Sequence, residues 1–279
     1  MSSSSSKTPF HIVKPSFWPL AVSIFVFTTL LYTILQFHYK NFFDTSFLLT
    51  FSIFLIIWTA GSWWFDICIE AFRGGHHTIK VQLGIRLAMA LFIISEVMFF
   101  FGFFWAFFHS SLAPSVAIGG VWPPQGIQLI SAYDVPLLNT AILLFSGILV
   151  TWSHRAILSN DFEFALDSLA ATIFLALLFT RLQYNEYTDS KFLISDSIYG
   201  SCFYLMTGFH GIHVFIGTCF LCVCLVRMES SHFSRYYHFG FEAAIWYWHF
   251  VDVVWIFLFF FVYWWGGSLI TYVIYFLHG

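Results

Sequence analysis

Seven apolar stretches divide the chain, at residues 17–37, 45–65, 81–108, 137–152, 164–182, 198–226 and 243–265. Few charged residues interrupt them, and polar residues gather in the connections. A helix that crosses a membrane needs about 20 mostly apolar residues. The pattern therefore predicts seven spanning helices. The third and sixth stretches exceed the minimum and predict helices that tilt or project beyond the hydrocarbon. The fourth and fifth, 137–152 and 164–182, are the shortest. Residues 1–16 form a polar N-terminal segment. The tail at 268–279 is apolar, but at about 1.5 Å per residue it is too short to cross a core of about 30 Å. It reads as an interfacial segment or a contact with another subunit.

Composition agrees with a lipid environment. Apolar residues make up 59% of the chain and charged residues 9%, with a mean hydropathy of +0.82. Soluble domains carry about 25% charged residues. A net charge of -3 without a basic run excludes nucleic acid as a partner. The N-terminus shows neither a signal-peptide core nor an Arg-rich transit pattern, so insertion without cleavage is expected. The 39 Phe suggest AT-rich coding and an organellar gene. Cys68, Cys202, Cys219, Cys222 and Cys224 lie in or beside apolar runs and read as small buried residues rather than metal ligands.

Basic residues set the orientation. With seven spans, Lys7, Lys14, Arg73, Lys80, Arg86, Arg155, Arg227 and Arg235 fall on the side of the N-terminus, and Lys40, Arg181 and Lys191 on the other. The positive-inside rule then places the N-terminus in the cytoplasm or matrix. The longest connection, 109–136, holds no Lys or Arg and belongs to the translocated side. Its Gly and Pro suit an ordered cap. Trp63 and Trp64, Trp246 and Trp248, and Trp264 and Trp265 fit interfacial aromatic belts.

Candidate chemistry rests on the few polar residues within the spans. Glu96 sits in "LFIISEVMFFFGFFWAFFHSS", and its helical neighbours Phe92, Ile93, Phe99 and Phe100 offer no partner. A charge at such a depth costs about 2.5–3.5 kcal/mol on insertion scales. A neutral carboxyl, a polar group on another helix, or a lipid headgroup or water would each resolve it. The first of these, on a lipid-facing surface, is the expected state. Glu242, His249 and Asp252 follow at i, i+7 and i+10 and predict a polar face turned into a bundle. His210 and His213 lie one turn apart on the sixth span. Gly208, Gly211 and Gly217 predict close helix approach there. Together these predict one buried hydrogen-bond network between the sixth and seventh helices. No metal constellation is legible, since neither HExxH nor a loop Cys pair occurs. All five Lys lie outside the spans, which excludes a retinal-binding protein. In the second connection, Asp66, Glu70 and Arg73 would share a helical face. They suit a solvated helix end or a phospholipid headgroup site.

The stretches "ISEVMFFFGFFWAFFHSSLAP", "GGVWPP", "GFHGIHV" and "HFGFEAAIWYWHFVDVVWIF" resemble subunit III of cytochrome c oxidase. "VKPSFWPL", "GHHT", "VPLLN" and "ISDSIYGS" agree, so the resemblance covers residues 13–267. It implies an all-α membrane protein of seven transmembrane helices. A pair (residues 17–72) and a five-helix bundle (73–267) would be separated by a V-shaped, lipid-filled cleft. It implies no redox centre, metal or catalytic residue in this subunit, with haem and copper in partner subunits. The partners would be subunit I as main contact, subunit II and small accessory subunits. The subunit would stabilise subunit I and support its proton uptake within an O2-reducing, proton-pumping enzyme of the mitochondrial inner membrane, N-terminus in the matrix. A bacterial plasma membrane is the second location. Glu96 matches the family's carbodiimide-reactive carboxylate. Trp63, Trp64, Arg73, His77, Glu96, Arg227, His232 and Arg235 are the implied contacts to phospholipid, as phosphatidylglycerol, phosphatidylethanolamine or cardiolipin. Phe65 and Ile69 stand where the family commonly has Arg, and the tail from Ser268 extends past its usual end. The alternatives are a quinol-oxidase subunit III, a nitric-oxide-reductase relative, and a stand-alone proton-coupled transporter. A transporter usually shows internal repeats and broken helices, and the sequence has neither.

Overall fold

A computed structural model describes residues 9–38 and 45–267. These residues form α1 (Trp18–His38), α2 (Thr45–Phe72), α3 (Ile79–Leu112), α4 (Val135–Ser159), α5 (Phe162–Asp189), α6 (Ser197–Glu229) and α7 (Phe239–Leu258). The last continues as a π-helical turn, Phe259–Trp265. All seven helices are long and apolar enough to cross a membrane, and no strand occurs among the described residues. The tail at 268–279, the N-terminal residues 1–8 and the first interhelical connection, 39–44, lie outside the described residues.

The helices run past the apolar stretches that announced them. α2 continues through Asp66 and Glu70, α4 through Arg155, and α5 through Tyr184 and Glu186. Hydropathy marks the part of a helix that sits in hydrocarbon, whereas backbone hydrogen bonding continues into the polar zone. Between α4 and α5, capping sets the helix ends instead. Asn160 takes the left-handed conformation (φ 68°) and its N–H bonds back to the carbonyls of Ala156 and Ile157. Asp161 then accepts from the Phe164 N–H at 3.2 Å and starts α5. Those two residues are the whole connection between α4 and α5. Pro136 occupies the first turn of α4, where its missing N–H costs nothing.

The chain divides into a unit ending at Ile85 and one beginning at Arg86, a boundary inside α3. In the first unit α1 packs on α2 through small residues. Ala21, Ser52 and Thr59 are buried there, and Thr29 Oγ1 lies 3.0 Å from Ser52 Oγ. Small side chains permit the close backbone approach on which helix association in lipid depends. Polar contacts gather near the start of α1. Trp18 Nε1 donates to Asp66 at 2.6 Å. The Thr78 hydroxyl donates to the Pro9 carbonyl at 2.6 Å, and the His11 and His76 rings stack at 4.6 Å.

The second unit holds the main core, around Phe107, Phe179, Phe203, Trp248 and Trp255. α4 packs on α5 and α7, and α6 packs on α5 and α7. The loop between α3 and α4 anchors on Trp122, whose ring meets Phe107 edge-on at 5.5 Å and Tyr199 at 5.6 Å. Two expectations change here. Trp248 belongs to the core rather than an interfacial belt: it is fully buried, and its Nε1 donates to Ser146 at 3.0 Å. Cys219 is exposed, because it sits on the face of α6 that no other described helix covers.

Candidate functional site: paired polar groups within the spans

Glu96 has a partner. His213 on α6 places Nε2 at 2.8 Å from Glu96 Oε2. His213 Nδ1 lies 2.7 Å from the Phe209 carbonyl. A carbonyl only accepts, so Nδ1 carries a proton. One further proton must then lie between Nε2 and the carboxyl, whichever group holds it. Phe99, Phe100, Tyr247 and Phe250 surround the imidazole at ring separations of 5.1–6.3 Å. The sequence showed no partner because the base is 117 positions away on another helix.

The single network expected between α6 and α7 is instead several separate links. His210 is buried and donates from Nε2 to the Val251 carbonyl at 3.2 Å, which does tie α6 to α7. His213 turns to α3. Glu242 takes Arg86 Nη2 at 2.9 Å and His238 Nε2 at 3.3 Å. His249 faces Asp252 on its own helix and Thr151 of α4. Helix geometry explains the split. Seven residues return a side chain to within about 20° of its starting direction, but ten leave it about 80° away. The stripe on α7 therefore meets more than one neighbour. Of the three glycines expected to admit a helix, Gly217 alone does so, against Trp248. A Cβ at Gly208 or Gly211 would meet nothing within 4 Å.

Two clusters escaped the sequence reading. His154, His238 and Glu242 bring their ligand atoms within 4.8 Å of one another, a donor set that suits a divalent cation of the zinc type. Arg86 already occupies one oxygen of Glu242. The three come from α4, a loop and α7, so spacing could not reveal them. The second cluster joins α4, α5 and the π-helical turn. Asn139 donates to Gln183 at 3.3 Å, and Gln183 and Tyr263 donate to Glu186 Oε1 at 2.9 and 2.6 Å. Glu186 is 5% exposed. It lies past residue 182, where the apolar stretch ends, and no apolar periodicity marks it as part of a span.

The implied lipid contacts fall in different units. Trp63 and His77 are half-buried, and Trp64, at 65% exposed, and Arg73 lie open, all in the unit ending at Ile85. In that unit Trp18, Trp58, Gly61, Ser62, Phe65 and Asp66 line an open groove of about 480 Å³. The Arg227 guanidinium lies 4.5 Å over the Phe233 ring, and the His232 N–H bonds the Arg227 carbonyl at 2.9 Å. Arg235 is exposed and lies 5.9 Å from the Tyr236 ring.

Seven spanning helices whose intramembrane carboxylates meet imidazole, guanidinium or hydroxyl groups of the same chain define a multi-pass membrane protein with an internally paired polar core. The family profile of cytochrome c oxidase subunit III matches residues 8–267, and the chain belongs to that family. Curated relatives agree. It is 52% identical over 263 residues to cytochrome c oxidase subunit 3 of Arabidopsis thaliana, covering 94% of this chain and 98% of the relative. The corresponding protein of Marchantia polymorpha is 53% identical over 264 residues, 95% and 99% of the two chains. That of Pisaster ochraceus is 54% identical over 261 residues, 93% and 98% of the two chains.

Proposed function

We propose that this chain is the haem- and copper-free core subunit of a cytochrome c oxidase in the mitochondrial inner membrane, with its N-terminus in the matrix. In this reading it stabilises subunit I, supports proton uptake there, and contacts subunit II and small accessory subunits. The family match over residues 8–267 carries the reading. The disposition of polar groups supports it, since carboxylates and imidazoles hold one another across helices, as a scaffold requires. Haem and copper supply the oxygen chemistry and belong to the partner subunits. Phospholipid is the ligand of this subunit. Exposed Trp64 and the open groove beside Trp58 suit acyl chains, and Arg73 and Arg235 suit headgroup phosphate.

Solubilisation in mild detergent tests the reading. The chain is expected to co-purify with haem-bearing subunits, and isolation without them would overturn the proposal. Glu96→Gln preserves volume and a hydrogen bond to His213. It is expected to leave steady-state electron transfer largely intact while changing lipid retention or proton uptake. Near-total loss of oxidase activity in a fully assembled complex would contradict a supporting role.

A further inference from the structure

His238 caps the start of α7, and Glu242 follows one turn later, its N–H bonded to the His238 carbonyl at 3.1 Å. The i, i+4 spacing puts both side chains on one face. His154 of α4 meets them there. Its Nε2 lies 3.2 Å from His238 Nε2, which in turn lies 3.3 Å from Glu242 Oε1. All three ligand atoms fall within 4.8 Å of one another. An ion of the zinc type, about 2.0–2.1 Å from each donor, sets tetrahedral donor–donor spacings of about 3.3–3.4 Å. Two of the three spacings match that edge as they stand.

The groups behind the three donors already orient them. His238 Nδ1 lies 2.9 Å from the Ser234 carbonyl, which only accepts, so Nδ1 carries a proton and Nε2 is the ligating nitrogen. A backbone carbonyl behind a ligating imidazole fixes tautomer and ring orientation in this way at metal sites. Arg86 Nη2 holds Glu242 Oε2 at 2.9 Å and leaves Oε1 to the cluster. The guanidinium also offsets the carboxylate charge, so the two imidazoles must supply most of the affinity. Such a set favours ions of the zinc type over Ca2+ and Mg2+, which take oxygen ligands. His154 and Glu242 are half-buried, and water completes a tetrahedral set. The cluster lies at the start of α7, beside the α6–α7 turn, so a hydrated ion reaches it from the aqueous phase without crossing hydrocarbon.

We propose that His154 Nε2, His238 Nε2 and Glu242 Oε1 bind one divalent cation of the zinc type, with water as the fourth ligand. One proton lies between the two Nε2 atoms, 3.2 Å apart. Coordination takes its place, and the proton leaves to water or moves to His154 Nδ1. The ion clamps α4 to the turn that opens α7. The site stands on these side chains and is independent of the oxidase reading.

Protection from a histidine reagent tests the site in the native chain. The protein is solubilised in mild detergent with the subunits it retains and stripped with EDTA. It is then treated with diethyl pyrocarbonate, with and without Zn2+, and modified histidines are mapped by peptide mass. Zinc is expected to slow modification of His154 roughly tenfold or more, while exposed His109 reacts at the same rate throughout. Mg2+ at the same concentration should leave His154 unprotected. Equal His154 rates with and without zinc would overturn the proposal, and equal protection by Mg2+ would overturn the choice of ion. Zinc content gives a second readout. His154→Gln is expected to bind about one equivalent fewer than the native protein, and His154→Cys, which supplies a thiolate, to restore it. Zinc content unchanged in His154→Gln would overturn the site. Co-purification with haem-bearing subunits bears on the oxidase reading alone.

Discussion

At the scale of the residue, burial decides what each polar group must find. Glu96 and His213 answer one another across α3 and α6 at 2.8 Å. Glu96→Leu leaves an imidazole nitrogen unpaired among aromatic rings and is expected to cost about 1–3 kcal/mol. Leucine at both positions should cost less than the sum of the two single changes. A coupling of about 0.5–3 kcal/mol is expected from a double-mutant cycle. Thermal or denaturant unfolding of the purified complex measures it, and additive single effects would show that the contact carries no energy. Glu186 gives a parallel case. Tyr263→Phe deletes a donor at 2.6 Å from a carboxyl that is 5% exposed. Gln183 still donates to the same oxygen, so the expected loss is about 1–2 kcal/mol, read in the same unfolding assay.

At the scale of the element, packing rests on where side chains are absent. A Cβ at Gly217 would lie 2.9 and 3.1 Å from two ring atoms of Trp248. Trp248 cannot yield easily, because it is fully buried and bonded to Ser146. Gly217→Ala is therefore expected to destabilise by about 1–3 kcal/mol through overpacking. Gly208→Ala meets nothing within 4 Å and is expected to be neutral or slightly favourable, since Ala is the better helix former. Parallel unfolding midpoints of the two variants separate these outcomes. Gly208, Gly211 and Gly217 look alike in sequence. Rotation about the helix decides which of them faces α7, and that depends on packing that hydropathy does not encode. The helices themselves were legible because a run of apolar residues reports the solvent directly. Their ends were less so, since Asn160 and Asp161 stop and restart helices by hydrogen bonds rather than by polarity. The Glu96 and Glu242 partners were illegible for a related reason. His213 and Arg86 lie far away in sequence, and only the fold brings them within 3 Å.

At the scale of the whole molecule, seven crossings fix a parity. The N-terminus and the α6–α7 turn must share one side of the membrane, and the α3–α4 loop must lie on the other. Charge chooses which side is which. Eight Lys and Arg lie on the N-terminal side against three opposite, and none lies in residues 109–136. Basic residues resist translocation, so in the proposed orientation the N-terminal side is the one from which the protein is inserted. Single cysteines at exposed positions convert this into a measurement. Glu229 closes α6 on the basic side, and Ser131 lies in the α3–α4 loop. In sealed right-side-out vesicles, an impermeant maleimide is expected to label Ser131→Cys above the background of the five native cysteines. Glu229→Cys should react only after the bilayer is opened. In inverted vesicles the order should reverse. Labelling of both from one side would mean an even number of crossings between them. One of α4, α5 and α6 would then have to leave the bilayer, against the length and hydropathy of all three.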